Sequence, residues 1–176
     1  CKHLVTVPVI SKGLYKQKIN EVKIKQNKEF FEKLLKKIEE NYKQYEFYNN
    51  YYGDFKQILK KKHLKLIDLN IDLINYFIEI LEIKTKLHYS SKFSLKQKKS
   101  NLIIDICKKF NTNQYLSTLG SKDYLDEKDF KNQKINLMYF KFSDDLENKF
   151  NYSILDLIFS LGPKSKAYLE NNLTII

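Results

Sequence analysis

The chain of 176 residues is long enough for one domain with a hydrophobic core, and its 43% hydrophobic content includes no apolar run that could span a bilayer. Its net charge of +11 suggests nucleic-acid binding, but every basic residue is lysine, and the arginine fork that contacts phosphate and guanine with two hydrogen bonds is missing. The lysines are also dispersed along the chain. We therefore expect no specific nucleic-acid partner and no transmembrane segment.

The numbers and spacing of the cysteines and histidines argue against a disulfide-stabilised protein and against a metalloprotein. Two cysteines, Cys1 and Cys107, cannot build a disulfide framework, and Cys107 is expected to be a buried small hydrophobe. His3, His63 and His88 are far apart and lack the spacing of metal ligands. We expect a reducing, cytoplasmic setting and no metal site.

The first eighty residues predict a strand followed by helices. His3 to Val9 alternates and is β-branched, which predicts a strand, and residues 18–25 could form a second extended piece. Asn27 caps a predicted helix that ends near Tyr45, and a second helix covers residues 64–82. The aromatic cluster between them, around a predicted bend at Gly53, could stack on a sugar or fill a corner between helices. These features predict a helical hairpin near residues 27–82.

The remaining residues alternate between strand and helix patterns. Residues 84–89, 114–117 and 135–140 are predicted strands, and residues 92–99 form a lysine-rich loop. Ser100 and Ser153 are predicted helix caps, the latter with Asp156 in a capping box. The alternation favours an α/β fold of three layers, with a mainly parallel sheet and helices on both faces.

The segment from Tyr115 to Asp126 is the candidate functional site. A short strand reaches a turn at Gly120, and Lys122-Asp123 opens a predicted helix. Ligands of parallel sheets collect beyond the carboxyl ends of strands, beside the free N–H groups of helix N-termini. This arrangement suits an anionic or hydroxyl-rich ligand, although an ordinary strand-to-helix turn has the same pattern.

Several segments, in order through nearly the whole chain, resemble the WbqC-like family. They are Leu4-Val5-Thr6-Val7-Pro8-Val9, Asp68-Leu69-Asn70, Ser90-Ser91, Tyr115-Leu116-Ser117, Gly120 with Lys122-Asp123-Tyr124-Leu125, and residues 153–159 with Gly162-Pro163. The resemblance implies a transferase of cell-surface polysaccharide (O-antigen type, lipopolysaccharide) biosynthesis. It implies transfer of an amino-acyl (glycyl) group to a nucleotide-linked or lipid-linked amino sugar.

The chain departs from the pattern of that family in two places. The His-Gln-Pro-x-Tyr-x-Pro segment that opens the family is absent. We therefore expect a single WbqC-like domain over residues 1–176 that lacks its N-terminal strand and motif. A glycine pair of the family is replaced by Gly120-Ser121, and Ser121 has less backbone freedom than glycine for close approach of a ligand.

A second resemblance suggests a cofactor. The order Gly-x-Lys-Asp-Tyr at residues 120–124 is similar to a segment of pantothenate synthetase, which uses ATP to activate a carboxylate. It implies that Lys122 neutralises phosphate charge, that N–H groups near Gly120 cradle the phosphate, and that Asp123 orients Lys122 or a substrate hydroxyl. The alternative is a surface pair at a helix start.

We therefore predict one shared crevice. In a parallel sheet, the strands that end at Tyr89 and Ser117 would reach the same rim. The predicted catalytic residues are Lys122 and Asp123, and the predicted substrate-binding residues are Ser90, Ser91, Ser117, Gly120, Tyr124 and Gly162. The alternative function is a non-catalytic module that binds acidic glycans or a partner protein through its lysine-rich faces.

Overall fold

The computed structural model describes residues 4–150 and 153–176, without the side chains of residues 147 and 148. The chain divides into two compact units, each made of two separate segments. The first consists of residues 1–84 and 150–168, and the second of residues 85–149 and 169–176. His3, at the start of the first predicted strand, and Cys1 lie outside the described residues.

The first unit is built from helices α1 (Lys28–Tyr42), α2 (Tyr48–Lys60), α3 (Leu66–Ile80) and α7 (Ile154–Leu161). Asn27 caps α1 as predicted, because its side chain accepts a hydrogen bond from the Phe30 N–H at 3.0 Å. The predicted bend at Gly53 is wrong, since α2 continues through this exposed glycine. Burial of Tyr52 and Phe55 on either side of it offsets the poor helix propensity of glycine.

Aromatic rings fill the core of this unit around α7. Phe159 is fully buried, and its ring centroid lies 5.3 Å from that of Tyr42 and 5.3 Å from that of Tyr48. Phe47 joins the turn after α1 to the same helix by donating its N–H to the Phe159 carbonyl at 3.0 Å. The cluster of tyrosines and phenylalanines therefore fills a corner between helices, which was one of the two roles that the sequence allowed.

The strand predicted over residues 3–9 is not formed among the described residues. Val9 makes a single antiparallel bridge to Ile24, and Leu4 is 97% exposed. Residues 18–25 likewise contain a 3-10 turn (Ile19–Glu21) and a bridge from Lys23 to Lys65. A strand needs a continuous ladder of backbone hydrogen bonds to a neighbour. The alternating segment of residues 3–9 makes only one bridge among the described residues, so its strand propensity is not sufficient.

The second unit contains α4 (Lys99–Lys109), β1 (Gln114–Thr118), α5 (Glu127–Asn132), β2 (Asn136–Phe142), and β3 (Leu173–Ile175). The described strands have the order β1-β2-β3; β1 and β2 are parallel, and β3 is antiparallel to β2. The predicted strands at 114–117 and 135–140 are confirmed. Cys107 is buried with Ile104, Phe130 and Ile135, as expected of a small hydrophobe, and burial raises the pKa of its thiol.

Two further helices are α6 (Asp144–Phe150) and α8 (Ser165–Asn171).

The predicted strand at residues 84–89 is wrong, because these residues lie outside the described strands and the His88 ring instead contacts Phe110 at 4.5 Å. The chain is a mixed fold of helices and a small mixed sheet, and the described strands do not confirm a three-layer, mainly parallel sheet. No helix of the described residues is long and apolar enough to cross a bilayer.

Candidate functional site

The turn after β1 differs in detail from the predicted strand-to-helix turn. A 3-10 helix, Leu119–Tyr124, follows β1 directly, and no α-helix opens at Lys122. Helix α5 begins later, at Glu127, where the Asp126 carboxylate accepts a hydrogen bond from the Lys128 N–H at 2.9 Å. The candidate site is therefore a tight turn followed by a capped helix start.

Two serine hydroxyls stabilise this turn from inside. Ser121 donates to the Thr118 carbonyl at 2.7 Å, and its oxygen lies 2.6 Å from that of Ser117. Since the Ser121 proton is already donated, Ser117 is the donor in the second bond. Ser117 is buried, so its hydroxyl stabilises the turn and has only lone pairs left for a ligand. At Gly120, in contrast, a Cβ would meet nothing within 4 Å, so protein packing does not require glycine there.

Lys122 lies over an aromatic ring. Its Nζ is 5.8 Å from the centroid of Tyr139 on β2, a cation–π distance. The Tyr139 hydroxyl is buried without a hydrogen-bond partner in the described chain, and burial raises the pKa of this phenol. Lys122 is an exposed residue whose amine lies close to the sheet.

A cavity of about 580 Å³ opens beside the turn, and its wall combines the start of α4, the end of the 3-10 helix and the start of α5. The cavity is lined by Lys98, Lys99, Ser100, Asn101, Asp123, Tyr124, Leu125, Asp126, Glu127 and Asp129. Of the predicted site residues, Asp123 and Tyr124 line it. Lys122, Ser117, Gly120, Ser90 and Ser91 do not.

Ser100 fixes the two sides of this cavity together. It is 3% exposed, and its Oγ accepts a hydrogen bond from the Asp126 N–H at 2.8 Å. The prediction that Ser100 caps α4 is wrong: Lys98 occupies the N-cap position without a side-chain hydrogen bond, and Lys99 starts the helix at φ +52°. Because the Ser100 hydroxyl binds the α5 side, it positions Asp126 against the start of α4.

Sequence reasoning missed most of this wall. Carboxylates recur at positions 123, 126, 127 and 129, and Lys98-Lys99 precede them by some 25 residues of chain. The charge pattern was visible, but the hydrogen bond between Ser100 and Asp126 that joins the two segments has no local signature. In the described part of the chain, no group of three or more His, Cys, Asp or Glu side chains is arranged to hold a metal.

The model for the WbqC-like protein family matches residues 1–168. The chain belongs to this family. The family is associated with O-antigen biosynthesis. A protein of Mycobacterium tuberculosis (strain ATCC 25618 / H37Rv), described as "Uncharacterized protein Rv1507c", is 28% identical over 174 residues, which cover 94% of this chain and 75% of that protein. No solved structure matches the chain.

Three further predicted substrate-binding residues, Ser90, Ser91 and Gly162, do not line the cavity. Ser90 and Ser91 lie in an exposed 3-10 turn (Ser90–Lys92), and the strand that was to carry them to the sheet rim is not formed. Gly162, in the first unit, has φ +51°, and an added Cβ would overlap the Phe47 ring. This glycine is therefore required by backbone conformation and packing. The substrate-binding roles of these three residues stay predictions.

The prediction that Asp156 forms a capping box with Ser153 is also wrong. Ser153 caps α7 as predicted, with its Oγ accepting from the Leu155 N–H at 3.2 Å. Asp156 does not close a capping box; its Oδ1 accepts a hydrogen bond from the Tyr42 hydroxyl at 2.8 Å. Burial, together with this carboxylate, raises the pKa of Tyr42. The other carboxylate oxygen of Asp156 is buried without a partner among the described residues.

Proposed function

We propose that this WbqC-like protein is a transferase of cell-surface polysaccharide biosynthesis that moves an amino-acyl group, such as glycyl, to an amino sugar. The observation that carries the proposal is the cavity beside the 119–124 turn, with Asp123 and Tyr124 on its wall. Its volume of about 580 Å³ lies within the usual range for small-ligand sites. Family membership supplies the class of pathway.

The chemistry of the wall suits an amino sugar as the acceptor. Carboxylates at Asp123, Glu127 and Asp129 attract an ammonium group and accept hydrogen bonds from sugar hydroxyls. Asn101 offers both a donor and an acceptor, and Tyr124, which is 75% exposed, offers a ring face for the sugar. Lys98 and Lys99, at the start of α4, add positive charge to the cavity wall, which suits a nucleotide or lipid diphosphate on the same sugar.

In the proposed reaction, the bound ammonium first loses one proton to solvent, and the free sugar amine then attacks the carbonyl carbon of an activated amino-acyl group. The new C–N bond forms, the leaving group departs with its bonding electrons, and the amine proton passes to a carboxylate. We assign that last role to Asp123, because it is the carboxylate of the predicted pair that lines the cavity. Lys122 lies over Tyr139 and does not line the cavity, so we assign it the lesser role of neutralising, from beside Asp123, the charge of the leaving group, which would be phosphate if ATP activates the acyl donor.

The test is an acyl-transfer assay with nucleotide-linked amino sugars as acceptors, glycine as donor, and ATP present or omitted. We expect Asp123→Ala to lower kcat by roughly a hundredfold or more, as for loss of a general base, and Lys122→Ala to lower it less. Lys28→Ala is the matched control, because Lys28 is an exposed residue of α1 that does not line the cavity, and it should leave the rate unchanged. Full activity in both site variants would remove Lys122 and Asp123 from the mechanism.

A second candidate function is a non-catalytic module that binds acidic glycans or a partner protein. The observation that favours it is the exposed loop of residues 92–99, with four lysines and no acidic residue. It predicts no acyl transfer with any acceptor, together with retention on an acidic glycan column that is lost at high salt. Salt-insensitive binding of a free amino sugar would favour the transferase instead.

A further inference from the structure

A group of exposed lysines in the second unit has no acidic partner. Residues 85–104 contain no Asp or Glu. Apart from Lys98 and Lys99, which line the cavity, the exposed lysines of this region and of the adjoining end of α4 are Lys86, Lys92, Lys96, Lys108 and Lys109, here called the lysine surface. Across the described chain, none of the five forms an ion pair, whereas Lys28, Lys33 and Lys36 on α1 each pair with a glutamate four residues away.

The lysine surface is organised by a cluster of rings. Phe110, at the end of α4, contacts His88 at 4.5 Å and Phe93 at 5.6 Å between ring centroids. Lys109 Nζ lies 5.5 Å from the Phe93 centroid, and Lys92 Nζ lies 5.2 Å from that of Tyr89. Segment 88–93 and the end of α4 therefore present their lysines together. A helix C-terminus favours lysine at 108 and 109, but this effect does not account for the loop lysines.

Apolar side chains lie among these charges. Leu87 and Phe110 are each 41% exposed, beside the half-buried Tyr89 and Phe93. Lysine side chains with exposed aliphatic and aromatic groups between them are the combination that binds the boundary between lipid headgroups and acyl chains.

We propose that the lysine surface binds the anionic surface of a phospholipid bilayer. Lysine supplies diffuse attraction to many headgroup phosphates without the fork geometry that selects one phosphate. Stacking on a sugar or a base needs a free ring face, but the rings of this cluster are engaged by Lys92, Lys109 and one another. The exposed parts of Phe110 and Leu87 remain for shallow insertion. This surface excludes the cavity carboxylates and goes beyond the proposed transfer reaction.

The experiment is co-sedimentation of the full chain with two kinds of vesicle, phosphatidylcholine alone and phosphatidylcholine mixed with phosphatidylglycerol. We expect binding only to the anionic vesicles. It should weaken steeply as salt shortens the screening length from about 30 Å to about 8 Å. The triple variant Lys92→Gln, Lys108→Gln, Lys109→Gln should lower the partition coefficient roughly a hundredfold, since each lysine near such a surface contributes about fivefold.

Two further variants make the result specific. The triple variant Lys28→Gln, Lys33→Gln, Lys36→Gln removes the same charge from α1 and should change binding by less than about threefold. The variant Lys86→Gln, Lys96→Gln, Lys108→Gln leaves both cation–π contacts intact and should still weaken binding strongly. Equal loss in the two regions, or equal binding to both kinds of vesicle, would overturn the proposal. So would retention on polygalacturonate or on a single-stranded RNA oligonucleotide without binding to anionic vesicles.

Discussion

The two units of the chain differ in how they use their apolar side chains. In the first, rings from α1, α2, α3 and α7 form one core, with Phe159 and Ile158 fully buried. In the second, the buried cluster consists of Ile104, Cys107, Phe130 and Ile135, and the adjoining surface carries the charged cavity. Burial of apolar area is the main stabilising contribution to folding. The comparison indicates that the first unit supplies most of the stability and the second most of the candidate chemistry.

The largest effect should come from the core of the first unit. Phe159→Ala removes a fully buried ring that contacts Tyr42 and Tyr48 edge-on, so we expect a loss of about 3–5 kcal/mol in the free energy of unfolding. Urea denaturation followed by circular dichroism measures it. Ile74→Ala is the control, because Ile74 is 44% exposed on α3 and should cost less than about 1.5 kcal/mol. Similar losses in the two variants would contradict a core centred on α7.

Truncation of a buried phenylalanine in the second unit should lower the free energy of unfolding by a smaller amount. Phe130, 1% exposed on α5, stacks on Tyr115 at 5.9 Å, and Phe130→Ala should lower the free energy of unfolding by about 3 kcal/mol. Because α5 also carries Asp129, the variant should weaken ligand binding at the cavity. Hydrogen exchange should accelerate mainly within residues 103–137. Uniform acceleration over the whole chain would show that the two units do not open separately.

Helices were easier to predict from the sequence than the sheet, for a physical reason. The periodic apolar residues of α1 and α3 and the caps Asn27 and Ser153 depend only on residues close in sequence. The pattern and the capping preferences therefore predict these helices. Residues 84–89 have strand propensity, but no described neighbouring strand pairs with them. Strand formation depends on partners distant in sequence, and propensity alone does not supply them.

The candidate site was predictable in part for the same reason. The turn at residues 117–124 follows from a strand that ends at glycine, and Asp123 and Tyr124 do line a cavity. The other wall depends on Ser100 and Asp126, which are 26 residues apart in sequence and joined by one hydrogen bond. Ser100 resembled a helix cap because the positive φ of Lys99, which shifts the helix start, is not visible in the sequence.

Gly162 tests how far the stability of the first unit depends on its backbone conformation. Gly162→Ala places a Cβ against the Phe47 ring at a residue with φ +51°, so we expect a loss of about 2 kcal/mol. Thermal unfolding and urea titration measure it. Gly53→Ala is the matched control, since Gly53 is helical and exposed with open space at its Cβ. That variant should be neutral or stabilising by up to about 1 kcal/mol, and a greater loss there than at Gly162 would contradict the assignment.

Asp72 gives the first unit a dependence on pH. Its Oδ2 accepts hydrogen bonds from Lys61 Nζ at 2.6 Å and from the buried His63 ring at 2.8 Å. The Lys61 amine and then His63 lower the pKa of Asp72 below its ordinary value of 3.8. A folded-state pKa below the unfolded value stabilises the protein above about pH 4, and this contribution is lost as the pH falls through the folded-state pKa.

Asp72→Asn should therefore cost about 1.5 kcal/mol at neutral pH, and the difference from the native protein should shrink as the pH falls below about 4. Urea titrations at several pH values measure this difference. Asp68→Asn, on the same helix, is the control. Asp68 is absent from the ion pairs of the described residues and has only the dipole at the start of α3 to stabilise, so its substitution should cost less than about 0.5 kcal/mol at neutral pH. A difference that is constant from neutral to acidic pH would show that charge does not matter at Asp72.

The smallest effect on stability should come from the cavity wall of the second unit. Ser100→Ala leaves the Asp126 N–H without its acceptor, and we expect a loss of about 1 kcal/mol. The same change frees the start of α5 from α4, so affinity for an amino sugar should fall more than stability does. Isothermal titration with the sugar measures this affinity, and Ser100→Thr, which keeps the hydroxyl, should restore part of it. Ser94→Ala is the control, because Ser94 is exposed and does not line the cavity. If Ser100→Ala binds as tightly as the native protein, the hydroxyl does not position the wall, and the two sides of the cavity act independently.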